Sequence, residues 1–133
     1  NMAPFPWHFG GQRYQNIFAF PDEILNFCLK NKRRIALDTA HLSMHCKFRN
    51  ENFKSAFTKL LDITAHWHMS DAQGINGEGI QMGLGNVDFK IIMEKIKSNQ
   101  TFIVETWQGH KNDGMGFAHD LIHLSELLTN NKS

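Results

Sequence analysis

The sequence is short of the features that place a protein in a class at a glance. Two cysteines, Cys28 and Cys46, are too few for a disulfide framework and lack the paired spacing of a zinc site. Only three prolines stand among the 133 residues, and no low-complexity tract or linker divides them, so residues 1–133 are read as one unit. No run of about 18 uncharged apolar residues exists, which excludes a predicted membrane span. The opening Asn1-Met2-Ala3-Pro4 has neither the charged n-region nor the apolar h-region of a secretory signal, and a cytoplasmic location is expected. Charge of one sign is missing too. Fourteen Lys and Arg stand against thirteen Asp and Glu, without the basic footprint of a DNA-binding domain, so nucleic acid is not an expected partner. What is present is 41% apolar and 20% charged residues, enough to build a core, with an excess of His (eight) and Phe (eleven).

Pro4 to Gly11 reads as a loop, because Pro and Gly defeat both helical and strand periodicity. Pro21-Asp22-Glu23-Ile24 opens a helix, with Pro in the first turn and two acids at the positive end of the macrodipole. Arg34 to His41 follows as a strand. Asn52 to Leu61 carries Phe53, Ala56, Phe57 and Leu60 at helical spacing. In the strand predicted over Asp62 to Asp71, Ile63, Ala65 and Trp67 alternate with Thr64, His66 and His68. A Gly-rich loop, Gly74 to Gly85, leads to a helix over Asp88 to Ser98. A strand over Thr101 to Trp107, a polar loop to Gly116 and a helix over Phe117 to Thr129 complete the chain.

Strands alternating with helices predict an α/β fold of parallel strands. Three such strands do not make a covered, closed sheet, and a complete (β/α)8 barrel needs about 250 residues. The expected architecture is therefore the second half of a (β/α)8 TIM barrel, a fragment; a small open α/β domain is the alternative.

Chemistry gathers at the C-terminal strand ends, where parallel folds bind ligands. These ends read Asp38-Thr39-Ala40-His41, then His66-Trp67-His68-Met69-Ser70-Asp71, then Val104-Glu105-Thr106-Trp107. One polar residue at a strand end is ordinarily a cap or a loop-facing group. Asp38, His68 and Glu105 at matching heights on one face are different, because a buried carboxylate is costly unless paired or metal-bound. Two carboxylates and one imidazole suit Mn2+, Mg2+ or Co2+ better than a structural zinc.

These strand ends, with Gly83-Leu84-Gly85-Asn86-Val87-Asp88 between the last two, resemble the second half of the xylose-isomerase-like TIM barrels. That superfamily comprises sugar isomerases, ketose epimerases and apurinic-site endonucleases. Asp71-Ala72-Gln73-Gly74, Gly77-Glu78-Gly79 and the run from Glu105 to Asn112 are similar to a branch attached to sialic-acid-synthase-type proteins of bacterial surface-sugar pathways. The resemblance implies a divalent metal (Mn2+, Mg2+, Co2+ or Zn2+) on Asp38 and His68, with Glu105 both ligand and acid/base. It implies a small-molecule sugar or sugar phosphate as substrate, with His41 a catalytic residue touching it or a second metal, and Asp71 in the place of a substrate-contacting acid. An epimerase Arg is replaced by Gly74, and the endonuclease Asp-x-His pair by Gly77 and Gly79. A fourth ligand, a Glu, is expected just before Asn1, on a missing N-terminal half of the barrel.

Further substrate contacts are expected from His66, from His110 and Lys111 past Glu105, and from Trp7 in the opening loop. Trp7 could equally belong to a packed hydrophobic cover, and for His110 and Lys111 a solvated loop is the alternative. His119 and His123 have zinc-compatible i, i+4 spacing but are expected on the barrel's outside. Three functions stand in order: a metal-dependent sugar isomerase or epimerase domain, inactive as an isolated piece; an endonuclease-like phosphodiesterase; and a non-catalytic sugar-binding or structural barrel. Raw strand edges in a half barrel predict self-association.

Overall fold

A computed structural model describes residues 1–5, 7–9 and 11–130, with backbone alone at 7–9 and 130. The elements run β1 (Trp7–Phe9), β2 (Gln12–Tyr14), α1 (Pro21–Asn31), β3 (Ile35–Asp38), α2 (Thr39–Arg49), α3 (Phe53–Leu61) and β4 (Thr64–Met69). Then come β5 (Asp71–Gln73), β6 (Gly77–Ile80), α4 (Phe89–Lys95), β7 (Thr101–Val104) and α5 (Lys111–Asn130). β3, β4 and β7 form one parallel sheet in the order β3-β4-β7, with helices between successive strands. This is the α/β half-barrel architecture the alternation predicts.

Leu37, Trp67 and Met69 are fully buried on the outer face, beneath the helices. Phe57 of α3 meets Trp67 with ring centroids 5.6 Å apart, and Leu60 and Ile92 fill the same core. The inner face carries Ala36, His66, His68 and Ile103 and opens to solvent, with Ile103 43% exposed. The parity of β4 changes at its start. Ile35 pairs with Thr64 but Ala36 pairs with His66, so two residues of β4 span one step of β3. Thr64 is thereby fully buried, donating its hydroxyl to the Leu60 carbonyl at 2.9 Å, while His66 and His68 take the inner face. The simple alternation expected from Ile63 onward breaks at Ala65.

Four regions differ from expectation: helix α2, two hairpins, and the start of α5, which begins at Lys111 inside the expected polar loop and is interrupted by positive φ at Asn112, Asp113 and Gly114. Helix α2 occupies residues read as the end of a strand and a connector. It is buried nearly all round (Thr39, Ala40, Leu42, Ser43, Met44, His45 and Cys46), so it shows no amphipathic stripe to read. The Asp38 side chain accepts the His41 N–H as its N-cap, ending β3 three residues early, and Asn50 closes the helix at a left-handed φ of 54°. β1 and β2 pair as an antiparallel hairpin where the opening loop was expected. β5 and β6 form another inside the Gly-rich loop, with Asp71 opposite Ile80 and Gln73 opposite Gly77.

One buried carboxylate organises that loop. Asp71, 1% exposed, accepts four backbone N–H groups: Ala72 at 2.8 Å, Gly83 at 3.0 Å, Gly85 at 2.8 Å and Val87 at 2.9 Å. A Cβ on Gly85 would lie 2.4 Å from Asp71 Oδ1 and 2.5 Å from the Ala72 carbonyl, so only glycine permits the approach. Asp71→Asn surrenders acceptors without relieving the burial and should cost roughly 2–3 kcal/mol or more in urea denaturation. Gly85→Ala should also destabilise, by steric displacement of the same loop.

Burial lowers the pKa of the imidazole of His45 on α2, against the opposing pull of Glu51, whose carboxylate lies 3.5 Å away. A depressed pKa in the folded state means stability present above the ordinary His value and lost as pH falls through it. The urea midpoint should fall between about pH 7 and pH 5.5, and His45→Leu should flatten part of that fall.

Candidate metal centre

β3 and β4 place Asp38 and His68 on the same rung, and Glu105 follows directly from β7, its N–H donating to the Met69 carbonyl at 2.8 Å. One ligand atom from each of Asp38, His68 and Glu105 lies within 4.8 Å of the others. His68 Nδ1 and Glu105 Oε2 are 2.9 Å apart. Asp38 divides its carboxylate between two tasks. Oδ1 caps α2 at 2.9 Å from the His41 N–H, and Oδ2 lies 3.5 Å from His41 Nδ1. Its backbone is fixed by Asn1, whose Oδ1 accepts the Asp38 N–H at 2.7 Å and whose Nδ2 donates to the Asp38 carbonyl at 3.2 Å.

Burial pushes the Asp38 carboxyl above the usual carboxylate range, and nearby Glu105 pushes the same way; His41, its backbone N–H and His68 pull it down. A cation at the trio would oppose both upward effects, because it favours the ionised carboxylate. Two hard oxygen donors and one imidazole fit a divalent cation of the Mn2+, Mg2+, Co2+ or Zn2+ class, with room for water or substrate oxygens.

His41 stands on the first turn of α2. Its Nδ1 faces the Asn1 carbonyl at 3.2 Å, and its Nε2 faces Glu78 Oε2 at 3.0 Å. A cavity of about 260 Å³ opens here, lined by Asp38, His41, Ser70, Glu78, Glu105 and Trp107 among others. Glu78 had no role in the sequence reading. The β5–β6 hairpin carries it over the pocket, and the signal available was an acid held between two glycines, Gly77 and Gly79.

The other candidates are distributed differently. His66 lies one rung below the trio, its Nδ1 2.7 Å from Thr101 Oγ1 and its ring 5.4 Å from that of His68, edge to face. Asp71 does not reach the pocket: its carboxylate is buried and committed to the four amides of its loop, so a substrate contact there is corrected to a structural one. His110 and Lys111 are exposed and line another cavity, which shares Glu105 and Trp107 with the first and includes Phe117. Trp7 lends its backbone to β1, and the role expected of its side chain falls outside the described residues. His119 is exposed and His123 packs on Phe89, rings 6.2 Å apart, away from the trio. Among the described residues no helix is long and apolar enough to cross a membrane.

No family model matches the chain, and no curated protein matches it. Among solved structures it is similar to a D-tagatose 3-epimerase-like protein. The TM-score is 0.67 and the identity 19%, over 100% of this chain and 48% of that one. The likeness establishes the fold, half of a TIM barrel, and the chain spans about half the length of that protein.

Mn2+ at a hundredfold excess over its Kd should raise unfolding stability by about 2.7 kcal/mol, read as a concentration-dependent Tm. Asp38→Asn should abolish that gain. Without metal it should leave stability unchanged or higher, because Asn caps a helix as well as Asp and carries no buried charge.

Proposed function

We propose that this chain carries one half of a divalent-metal-dependent sugar isomerase or epimerase site, in a pathway to surface sugars of the sialic-acid kind. The observation that supports it most is the convergence of Asp38, His68 and Glu105, beside a cavity at the strand C-termini of a half barrel similar to an epimerase-like protein. In this reading Asp38, His68 and Glu105 hold the cation. When bound, it supplies polarisation of the substrate's carbonyl and hydroxyl oxygens.

The chain's own residues then have distinct tasks. Glu105 is partly exposed, hydrogen-bonded to His68 and open to the cavity, placed to take a proton from carbon beside a carbonyl. His41 reaches into the same cavity from α2, held between Asn1 and Glu78, and orients a substrate oxygen. His66 steadies His68 from the rung below. Return of the proton from the opposite face of the sugar needs a second acid/base, which in this reading the other half of the barrel supplies; the 133 residues alone bind metal and turn nothing over. An endonuclease-like site has less support, since the β5–β6 hairpin brings Glu78 to the pocket and no Asp-x-His pair.

The test is proton exchange and interconversion of a ketose–aldose panel in deuterated buffer with Mn2+, followed by NMR. A protein with the whole barrel should exchange, and Glu105→Gln should lower the rate by roughly 10²-fold or more with metal-induced stabilisation measured alongside. The 133-residue chain should be silent. Full exchange in Glu105→Gln, or no conversion of any sugar by the whole barrel, would sink the reading.

A further inference from the structure

A second cavity, of about 530 Å³, lies between the β5–β6 hairpin and the start of α5 and holds none of Asp38, His68 and Glu105. It meets the first cavity at Glu78, Gly79 and Trp107, which line both. The boundary between them is built from a close approach. The Trp107 N–H donates to the Gly79 carbonyl at 2.7 Å, and a Cβ on Gly79, whose φ is +70°, would stand 3.1 Å from the Trp107 Cβ. Trp107 is thus held by its backbone while 76% of the residue stays exposed. An indole anchored through its backbone at a cavity mouth with its surface unspent is a binding group, because burying it against an apolar ligand face is favourable and it has few side-chain torsions to order.

The rest of the lining selects the ligand. Gln81, Gln108 and Asn112 present side-chain amides, each offering a donor pair and an acceptor, the complement of neighbouring hydroxyls. Lys111 and His119 are the cationic candidates there, Glu78 shares the lining, and no Arg is among the described lining residues; a phosphate or nucleotide site would call for a denser positive set. A flat C–H face bordered by hydroxyls is the surface of a pyranose ring. We infer that the second cavity is a subsite for a further glycosyl unit, so that the sugar in the first cavity is taken as the end of a glycoside. This rests on the sugar-binding reading above, although the binding it predicts does not depend on the metal ligands.

Calorimetric titration of the 133-residue chain with maltose, cellobiose, lactose and lactulose, against glucose and fructose, tests it, with inorganic phosphate and UMP as competitors. At least one disaccharide should bind about tenfold or more tightly than its reducing-end monosaccharide. Trp107→Ala should erase that difference, whereas Trp107→Phe and Asp38→Asn should keep most of it. The Asp38→Asn arm separates the two ideas: retained disaccharide preference there, beside failed metal binding or turnover, leaves the subsite standing while the isomerase reading falls. Equal binding of mono- and disaccharides, absence of sugar binding, competition by phosphate or UMP, or a preference that survives Trp107→Ala would each overturn the inference.

Discussion

The buried carboxylate of Asp71 is the constraint on which the functional end of the molecule depends. A charge taken from water is tolerated only when its lone pairs are filled, and four amides fill these. Those amides belong to Ala72, Gly83, Gly85 and Val87, so one side chain ties β5 to the entire segment that leads into α4. The β5–β6 hairpin is held from below by this knot and from the side by the Gly79–Trp107 hydrogen bond. Glu78 therefore reaches His41 from a framed hairpin. The same amide–carboxylate economy recurs at Asp120, fully buried, which accepts the Met82 N–H at 3.0 Å and the Thr106 hydroxyl and so joins the hairpin's exit to the loop after β7.

The centre itself rests on a division of labour within Asp38. One oxygen caps α2 and the other remains near His41 and the trio, so a group needed for the fold's local geometry is also a candidate ligand. That sharing explains why Asp38 lies buried at all. A carboxylate brought in solely for a cation would have no compensation in the metal-free chain, while the helix N-terminus offers partial compensation throughout.

Much of this was legible in residue order. The strand ends of β3, β4 and β7 announced themselves by acid or imidazole following β-forming runs, and the helices over 53–61 and 89–95 by Phe57, Leu60, Phe89 and Ile92 at helical spacing. Helix α2 was hidden because burial on every side removes periodicity, and its polar members, Ser43 and His45, read as connector residues. The two hairpins were hidden because their strands are three or four residues long, too short to show alternation, and β6 is half glycine. Asp71 misled for a related reason: an acid in a loop near a site suggests contact with ligand, and only three-dimensional placement shows its oxygens already taken. Glu78 was overlooked because nothing in the spacing says that a hairpin folds it back over the pocket.

The two-for-one step at Thr64 and Ala65 has a consequence for the site's very identity. With the side chains of β4 alternating strictly from Thr64, imidazoles 66 and 68 would point toward the helices and the Trp67 indole would occupy the mouth. An extra residue just before His66 thus determines whether the mouth of this half barrel presents nitrogen donors or a hydrocarbon wall. Chain length at that spot is as much a chemical specification as the histidines themselves.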